Sequence, residues 1–287
     1  MDNKKTTDNA AGNGDDTEVV SGSAPRDLLV DEHEEEVSEN GRTVRRQGIY
    51  LLPNLFTTGA LFAGFYAVIA AMRGDFEAAA IAIFFALVLD GLDGRIARLT
   101  NTSSKFGAEY DSLSDMVSFG VAPALVMFSW ALGDLGKFGW SAAFIYVACA
   151  ALRLARFNTQ IDDADKNYFT GLASPAAACI IASVVWVCHD RGLVGDSLPH
   201  ELAVVVAILT ATVGFLMVAN FPYYSGKGID LRGRVPFFVI LLVVFVFGLV
   251  TLDPPSIFLF AFLTYAASGP VLAVIHWRKR RMGLGTD

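Results

Sequence analysis

Asp90, Asp93, Asp111 and Asp115 are the residues of this sequence whose type and spacing can do chemistry. They form two pairs in otherwise apolar stretches, spaced i, i+3 and i, i+4, so on α-helices each pair projects from one face. A short polar loop containing Arg98 and Gly107 joins the pairs and lets the two acidic faces oppose each other. Carboxylates set this way suit hard divalent cations such as Mg²⁺ or Mn²⁺, which usually take one or two carboxylates each plus substrate phosphate. Two such ions bridged by a diphosphate would stabilise charge on the attacking and leaving oxygens of an in-line displacement. Gly94 and Gly107 carry no side chain to obstruct an approaching nucleotide or phosphate. Arg98 offers a planar donor fork for phosphate oxygens.

The elements that must position these residues are membrane helices. The chain is 54% hydrophobic, with a mean hydropathy of +0.47. Apolar runs of about 20 residues, each long enough to span a hydrocarbon core, recur along it. Eight spans are expected, at 50–72, 76–98, 109–132, 138–158, 173–189, 200–221, 235–252 and 256–277. The fold class is therefore an all-α integral membrane protein, a polytopic bundle of about eight transmembrane helices occupying 42–277. Each aspartate inside such a helix costs about 2.5–3.5 kcal/mol on insertion scales, so the cluster needs cations.

The net charge of −7 belongs to one end of the chain. Residues 1–41 hold 12 acidic and 3 basic residues, net −9, and the remainder is net +2. That tail is too polar to bury a core and reads as disordered. The first 47 residues lack an apolar signal-peptide segment. An even number of spans puts both termini on one side. That side collects 16 Lys and Arg residues, against Arg73, Lys137 and Arg191 opposite, which makes it cytoplasmic. The basic tail 278–287 follows the last span, with Arg278 to Arg281 as its orientation anchor. Asp90 then lies roughly 12 Å from the cytoplasmic end of its helix, with Asp93 closer.

Cys149, Cys179 and Cys188 fall in apolar segments without metal-ligand or CxxC spacing and read as small core residues. No histidine is assigned a site role. Pro123, Pro175 and Pro270 interrupt three spans, as kinks or locally opened backbone. On chemistry alone, an intramembrane ion or proton site, as in a divalent-cation transporter, stays open beside a phosphate-transferring site. The glycines, Arg98 and the cytoplasmic depth favour a phosphate substrate.

The pattern D-x-x-D-G-x-x-A-R, eight residues, G-x-x-x-D-x-x-x-D runs from Asp90 to Asp115 and resembles, at every fixed position, the signature of the CDP-alcohol phosphatidyltransferases. Three further segments are similar to the serine-using bacterial branch, the phosphatidylserine synthases: Pro53-Asn54-Leu55-Phe56-Thr57, Arg153-Leu154-Ala155-Arg156-Phe157-Asn158 and Phe169-Thr170-Gly171-Leu172-Ala173-Ser174-Pro175. Ala173 departs from that pattern, which has Pro there. The resemblance covers roughly residues 45–235 and implies a six-helix core, a cytoplasm-facing site in a prokaryotic inner membrane, and a homodimer.

It also implies metal coordination by Asp90, Asp93 and Asp111, with Asp115 as the catalytic base that can also touch a metal. The implied activity transfers the phosphatidyl group of CDP-diacylglycerol to an alcohol and releases CMP. The implied acceptor is L-serine, with glycerol-3-phosphate and inositol-phosphate as rivals. The partners are thus CDP-diacylglycerol, L-serine and membrane lipids, with no nucleic acid. Serine's carboxylate needs a basic partner, for which Arg153, Arg156 and Lys166 are candidates, although basic residues there also follow from the positive-inside rule. Asn54 can hydrogen-bond the nucleotide or its phosphates, and Ser174 can line the acceptor pocket or simply start a helix.

Overall fold

The computed structural model describes residues 36–39, 42–45, 51–100, 105–159, 168–224 and 237–281. Two units are separable, 1–47 and 48–287. In the first, β1 (Glu36–Glu39) and β2 (Arg42–Arg45) form an antiparallel hairpin. Its register sets Glu36 opposite Arg45 and Glu39 opposite Arg42. The hairpin overlaps the end of the stretch expected to be disordered.

The second unit is helical. Its helices are α1 (Leu51–Met72), α2 (Phe76–Thr100), α3 (Lys105–Asp115), α4 (Ala122–Met127), α5 (Lys137–Thr159), α6 (Ser174–Asp190), α7 (His200–Val218), α8 (Phe237–Leu252) and α9 (Pro254–Arg281). Short strands β3 (Tyr168–Thr170) and β4 (Pro222–Tyr224) pair antiparallel. Each of the eight expected spans falls on one of these helices, except the third. There α3 and α4 are joined by a π-helical segment, Met116–Val121, and followed by another, Phe128–Leu132, and the span continues to Leu135.

Among the described residues, five segments are long and apolar enough to cross a membrane: Asn54–Met72, Phe106–Leu135, Lys137–Thr159, His200–Val218 and Pro254–Ile275. α2 is long enough but carries Asp90, Asp93, Arg95 and Arg98 in its second half. α6 has 17 residues, of which 12 are buried in the bundle. A helix surrounded by protein does not need the full hydrocarbon thickness. α8, by contrast, exposes Leu241, Val244, Phe245 and Phe247, as a lipid-facing helix does.

Small side chains allow the close packing of α1 on α2. Ala60, Ala63, Ala67 and Ala70 recur on the buried face of α1 and meet Ala79, Ala80, Ile83 and Ala86 of α2. Gly64 of α1 touches the third span so closely that a Cβ there would lie 2.7 Å from the Ser118 Cα. Hydroxyls join the same two elements across the apolar interior. Ser118 Oγ donates to the Ala60 carbonyl at 3.0 Å and Ser129 Oγ to the Ala71 carbonyl at 3.1 Å. Tyr146 of α5 donates to the Phe119 carbonyl at 3.0 Å. In lipid such polar groups must find partners inside the protein. Of the three prolines, Pro123 sits in the first turn of α4, just after the first π segment. Pro175 opens α6 rather than bending it, and Pro270 lies inside α9.

Candidate metal and phosphate site

α2 and α3 bring the two aspartate pairs together. A carboxylate oxygen from each of Asp90, Asp93 and Asp111 lies within 4.8 Å of the other two. Asp93 is nearly fully buried, and the other two are half-buried. Asp115, one turn beyond Asp111, has its carboxyl within hydrogen-bonding reach of Asp90. The i, i+3 and i, i+4 spacings therefore do place four carboxyl groups at one locus.

Neighbouring hydroxyls orient the cluster. Thr57 Oγ1 donates to Asp93 Oδ2 at 2.8 Å, in a bond shut away from solvent. Thr57 is itself fixed, because Ser114 Oγ, one residue before Asp115, donates to its carbonyl at 3.1 Å. On the rim, Thr58 Oγ1 and the Tyr110 hydroxyl share a bond of 2.8 Å. Ser112 Oγ and Asn158 Oδ1 lie 3.2 Å apart, tying α3 to α5. Sequence reasoning missed Thr57, Tyr110, Ser112 and Ser114. A signal was available only for Thr57, which closes the Pro53–Thr57 segment, although Asn54 drew attention there instead.

The donor set is made of carboxylates, and Asp111 Oδ1 is buried without a hydrogen-bond partner. An oxygen so placed needs a cation or a proton. The residues present thus fit a hard divalent cation. A second group of potential ligands, Glu77, His189 and Asp190, lies at the opposite end of α2 and is partly exposed.

The remaining sequence-derived candidates are distributed as follows. Gly94 is exposed, and a Cβ added there would meet open space, so the surface beside Asp93 is unobstructed. Gly107 lies half-buried in the first turn of α3. Arg98 belongs to α2, and its side chain lies outside the described residues, as does Lys166. Asn54 is half-buried in the first turn of α1, where its carbonyl accepts from Thr58 Oγ1 at 2.7 Å. Arg153 and Ser174 come together: Arg153 Nη1 donates to the buried Ser174 Oγ at 2.5 Å. The same guanidinium interacts electrostatically with Asp115 and Asp90. Arg156 instead directs Nη1 to the Val218 carbonyl at 3.4 Å, at the end of α7.

The family model for CDP-alcohol phosphatidyltransferase matches residues 50–218, which include every element named at this site. A CDP-diacylglycerol--serine O-phosphatidyltransferase of Helicobacter pylori is 36% identical over 218 residues, covering 76% of this chain and 90% of its own. A protein of the same description from Saccharomyces cerevisiae is 36% identical over 155 residues, 49% of this chain and 55% of its own. One from Methanocaldococcus jannaschii is 35% identical over 147 residues, 50% of this chain and 64% of its own.

Proposed function

The chain belongs to the CDP-alcohol phosphatidyltransferase family, and from that premise we propose that it transfers the phosphatidyl group of CDP-diacylglycerol to the hydroxyl of L-serine, giving phosphatidylserine and CMP. The observation that carries the reading is the convergence of Asp90, Asp93 and Asp111 within 4.8 Å, with Asp115 one turn beyond Asp111 on the same helix. The serine acceptor is supported by the descriptions of the relatives and by the basic Arg153 next to Ser174.

In the mechanism, the Asp115 carboxylate accepts the proton of the serine hydroxyl as that oxygen attacks the lipid-side phosphorus. A new P–O bond forms, and the bond from that phosphorus to the bridging diphosphate oxygen breaks, so CMP leaves with the bridging oxygen. A general base so placed typically contributes roughly 10²- to 10⁴-fold. Asp90, Asp93 and Asp111 are the residues that would hold Mg²⁺ or Mn²⁺, which when bound neutralises diphosphate charge and eases departure of CMP. Thr57 fixes the Asp93 carboxylate, as the outer partner of a metal ligand does. The open surface at Gly94 admits the diphosphate, with Gly107, Asn54 and Arg98 as further nucleotide and phosphate contacts. Arg153 pairs with the serine carboxylate, and Ser174 and Arg156 complete that side.

The site faces the cytoplasm of a prokaryotic cell on the Lys and Arg bias, and the protein works as a homodimer in its inner membrane. The test is an acceptor panel. Purified protein with CDP-diacylglycerol and Mg²⁺ or Mn²⁺ is expected to release CMP with L-serine and to stop when a chelator is added. Release only with glycerol-3-phosphate or inositol-phosphate would reassign the acceptor. No release with any alcohol, together with metal flux into liposomes, would reassign the class.

A further inference from the structure

Asp115 is the last residue of α3, and the π-helical segment Met116–Val121 begins directly after it. At the end of that segment the Ala122 N–H donates to the Val117 carbonyl, five residues back instead of the four of an α-helix. An α-helix turns about 100° per residue. Relaxing the one extra residue into α-helix would therefore rotate the chain on one side of the segment by about 100° against the other. Asp115 borders the segment, so its direction depends on the register that the segment keeps.

Buried hydroxyls hold that register. Ser114 Oγ donates to the Thr57 carbonyl at 3.1 Å and Ser118 Oγ to the Ala60 carbonyl at 3.0 Å, one bond on each side of Asp115. The donors are four residues apart and the acceptors three, so about one turn of the third span is matched to one turn of α1. Ser114 is 2% exposed and Ser118 fully buried, which keeps water from taking over either bond. Ser118 lies against the α1 backbone where Gly64 has no side chain; an added Cβ would fall 2.6 Å from its Oγ. From the other side, the buried Tyr146 hydroxyl of α5 donates to the Phe119 carbonyl inside the segment at 3.0 Å. The same turn of α1 also holds a metal-ligand candidate, since Thr57 Oγ1 donates to Asp93 Oδ2. One frame thus fixes Asp93 and the chain on both flanks of Asp115.

We propose that Ser118 is a positioning residue which, acting with Ser114, locks the π-helical register and so sets the direction in which Asp115 faces the other aspartates. This inference rests on the transferase reading above, in which Asp115 is the base, and adds what aims it.

Steady-state kinetics of the full-length protein with Ser118→Ala and Ser129→Ala test it. Each variant removes one serine hydroxyl that donates to an α1 carbonyl, and Ser129 does so at 3.1 Å to Ala71, near the far end of that helix. Ser118→Ala is expected to lower kcat about 3- to 10-fold, as for loss of one buried hydrogen bond. The KM for CDP-diacylglycerol and the half-saturating Mg²⁺ or Mn²⁺ concentration should stay as in the wild type, and Ser129→Ala should keep the wild-type kcat. In single-turnover assays on an Asp115→Asn background, Ser118→Ala should add almost nothing, because the group it aims is gone. Ser114→Ala, which frees the other flank of Asp115, should lower kcat in the same way and carries the test should Ser118→Ala fail to fold. An unchanged kcat in Ser118→Ala, an equal fall in Ser129→Ala, or full additivity with Asp115→Asn would overturn the inference while wild-type turnover still stood. A wild type that releases no CMP with any alcohol would overturn the proposed function and this inference with it.

Discussion

Replacing Thr57 by Val removes one hydroxyl and keeps the shape of the side chain. The lost bond is the 2.8 Å contact to Asp93 Oδ2. Thr57 and Asp93 are only 4% and 5% exposed, so water does not readily replace it. The backbone carbonyl that accepts from Ser114 is unaffected, and α1 should keep its packing. A hydrogen bond to a charged group contributes about 1.5–3 kcal/mol, which at 1.4 kcal/mol per tenfold corresponds to about 10- to 150-fold. Outer partners of metal ligands fall in the same range, about 10- to 100-fold in metal affinity or activity. The assay is CMP release as a function of Mg²⁺ or Mn²⁺ concentration. The half-saturating concentration should rise by about 10- to 100-fold, with most of the maximal rate recovered at saturation, and Thr57→Ser should stay near the wild type. An unshifted metal curve for a Thr57→Val protein that melts normally would refute the claim that Thr57 sets the geometry of a metal ligand.

Asp115→Asn should lower kcat by about 10²- to 10⁴-fold while CDP-diacylglycerol still binds, as read by single-turnover assay and ligand-binding titration. Gly64→Ala places a Cβ 2.6 Å from Ser118 Oγ and 2.7 Å from its Cα, so the two spans must part. A stability loss of about 1–3 kcal/mol is expected, read as a lower melting temperature in detergent. A Cβ added at Gly94 meets no protein neighbour, so Gly94→Leu should melt as the wild type does. Its KM for CDP-diacylglycerol should nonetheless rise, because the side chain fills the surface on which the diphosphate is proposed to lie.

Much of the architecture was legible because membrane helices are long apolar runs with charged ends. The expected span 235–252 and the helix Phe237–Leu252 differ by two residues at one end, as do 138–158 and Lys137–Thr159 over both. The convergence of the aspartates was legible for the same kind of reason, since i, i+3 and i, i+4 spacing on two joined helices leaves few other arrangements. The π segments at Met116–Val121 and Phe128–Leu132 were not, because i→i+5 bonding leaves no mark on apolar periodicity. Nor could the sequence separate Arg153 from Arg156. They sit three residues apart on α5, yet one donates to Ser174 and the other to the Val218 carbonyl. Ser114 reads as an ordinary helix residue in the sequence, and its role depends on the Thr57 carbonyl of the helix packed beside it.

The function proposed for the four-aspartate cluster is transfer of a phosphatidyl group to serine. Its most direct test is to incubate purified protein with CDP-diacylglycerol, isotopically labelled L-serine and Mg²⁺ or Mn²⁺, and to follow the label. Labelled phosphatidylserine is expected to form in equal amount to CMP, and to vanish in Asp115→Asn. Label that stays in the aqueous phase while CMP is released, or lipid labelling that survives Asp115→Asn undiminished, would contradict it.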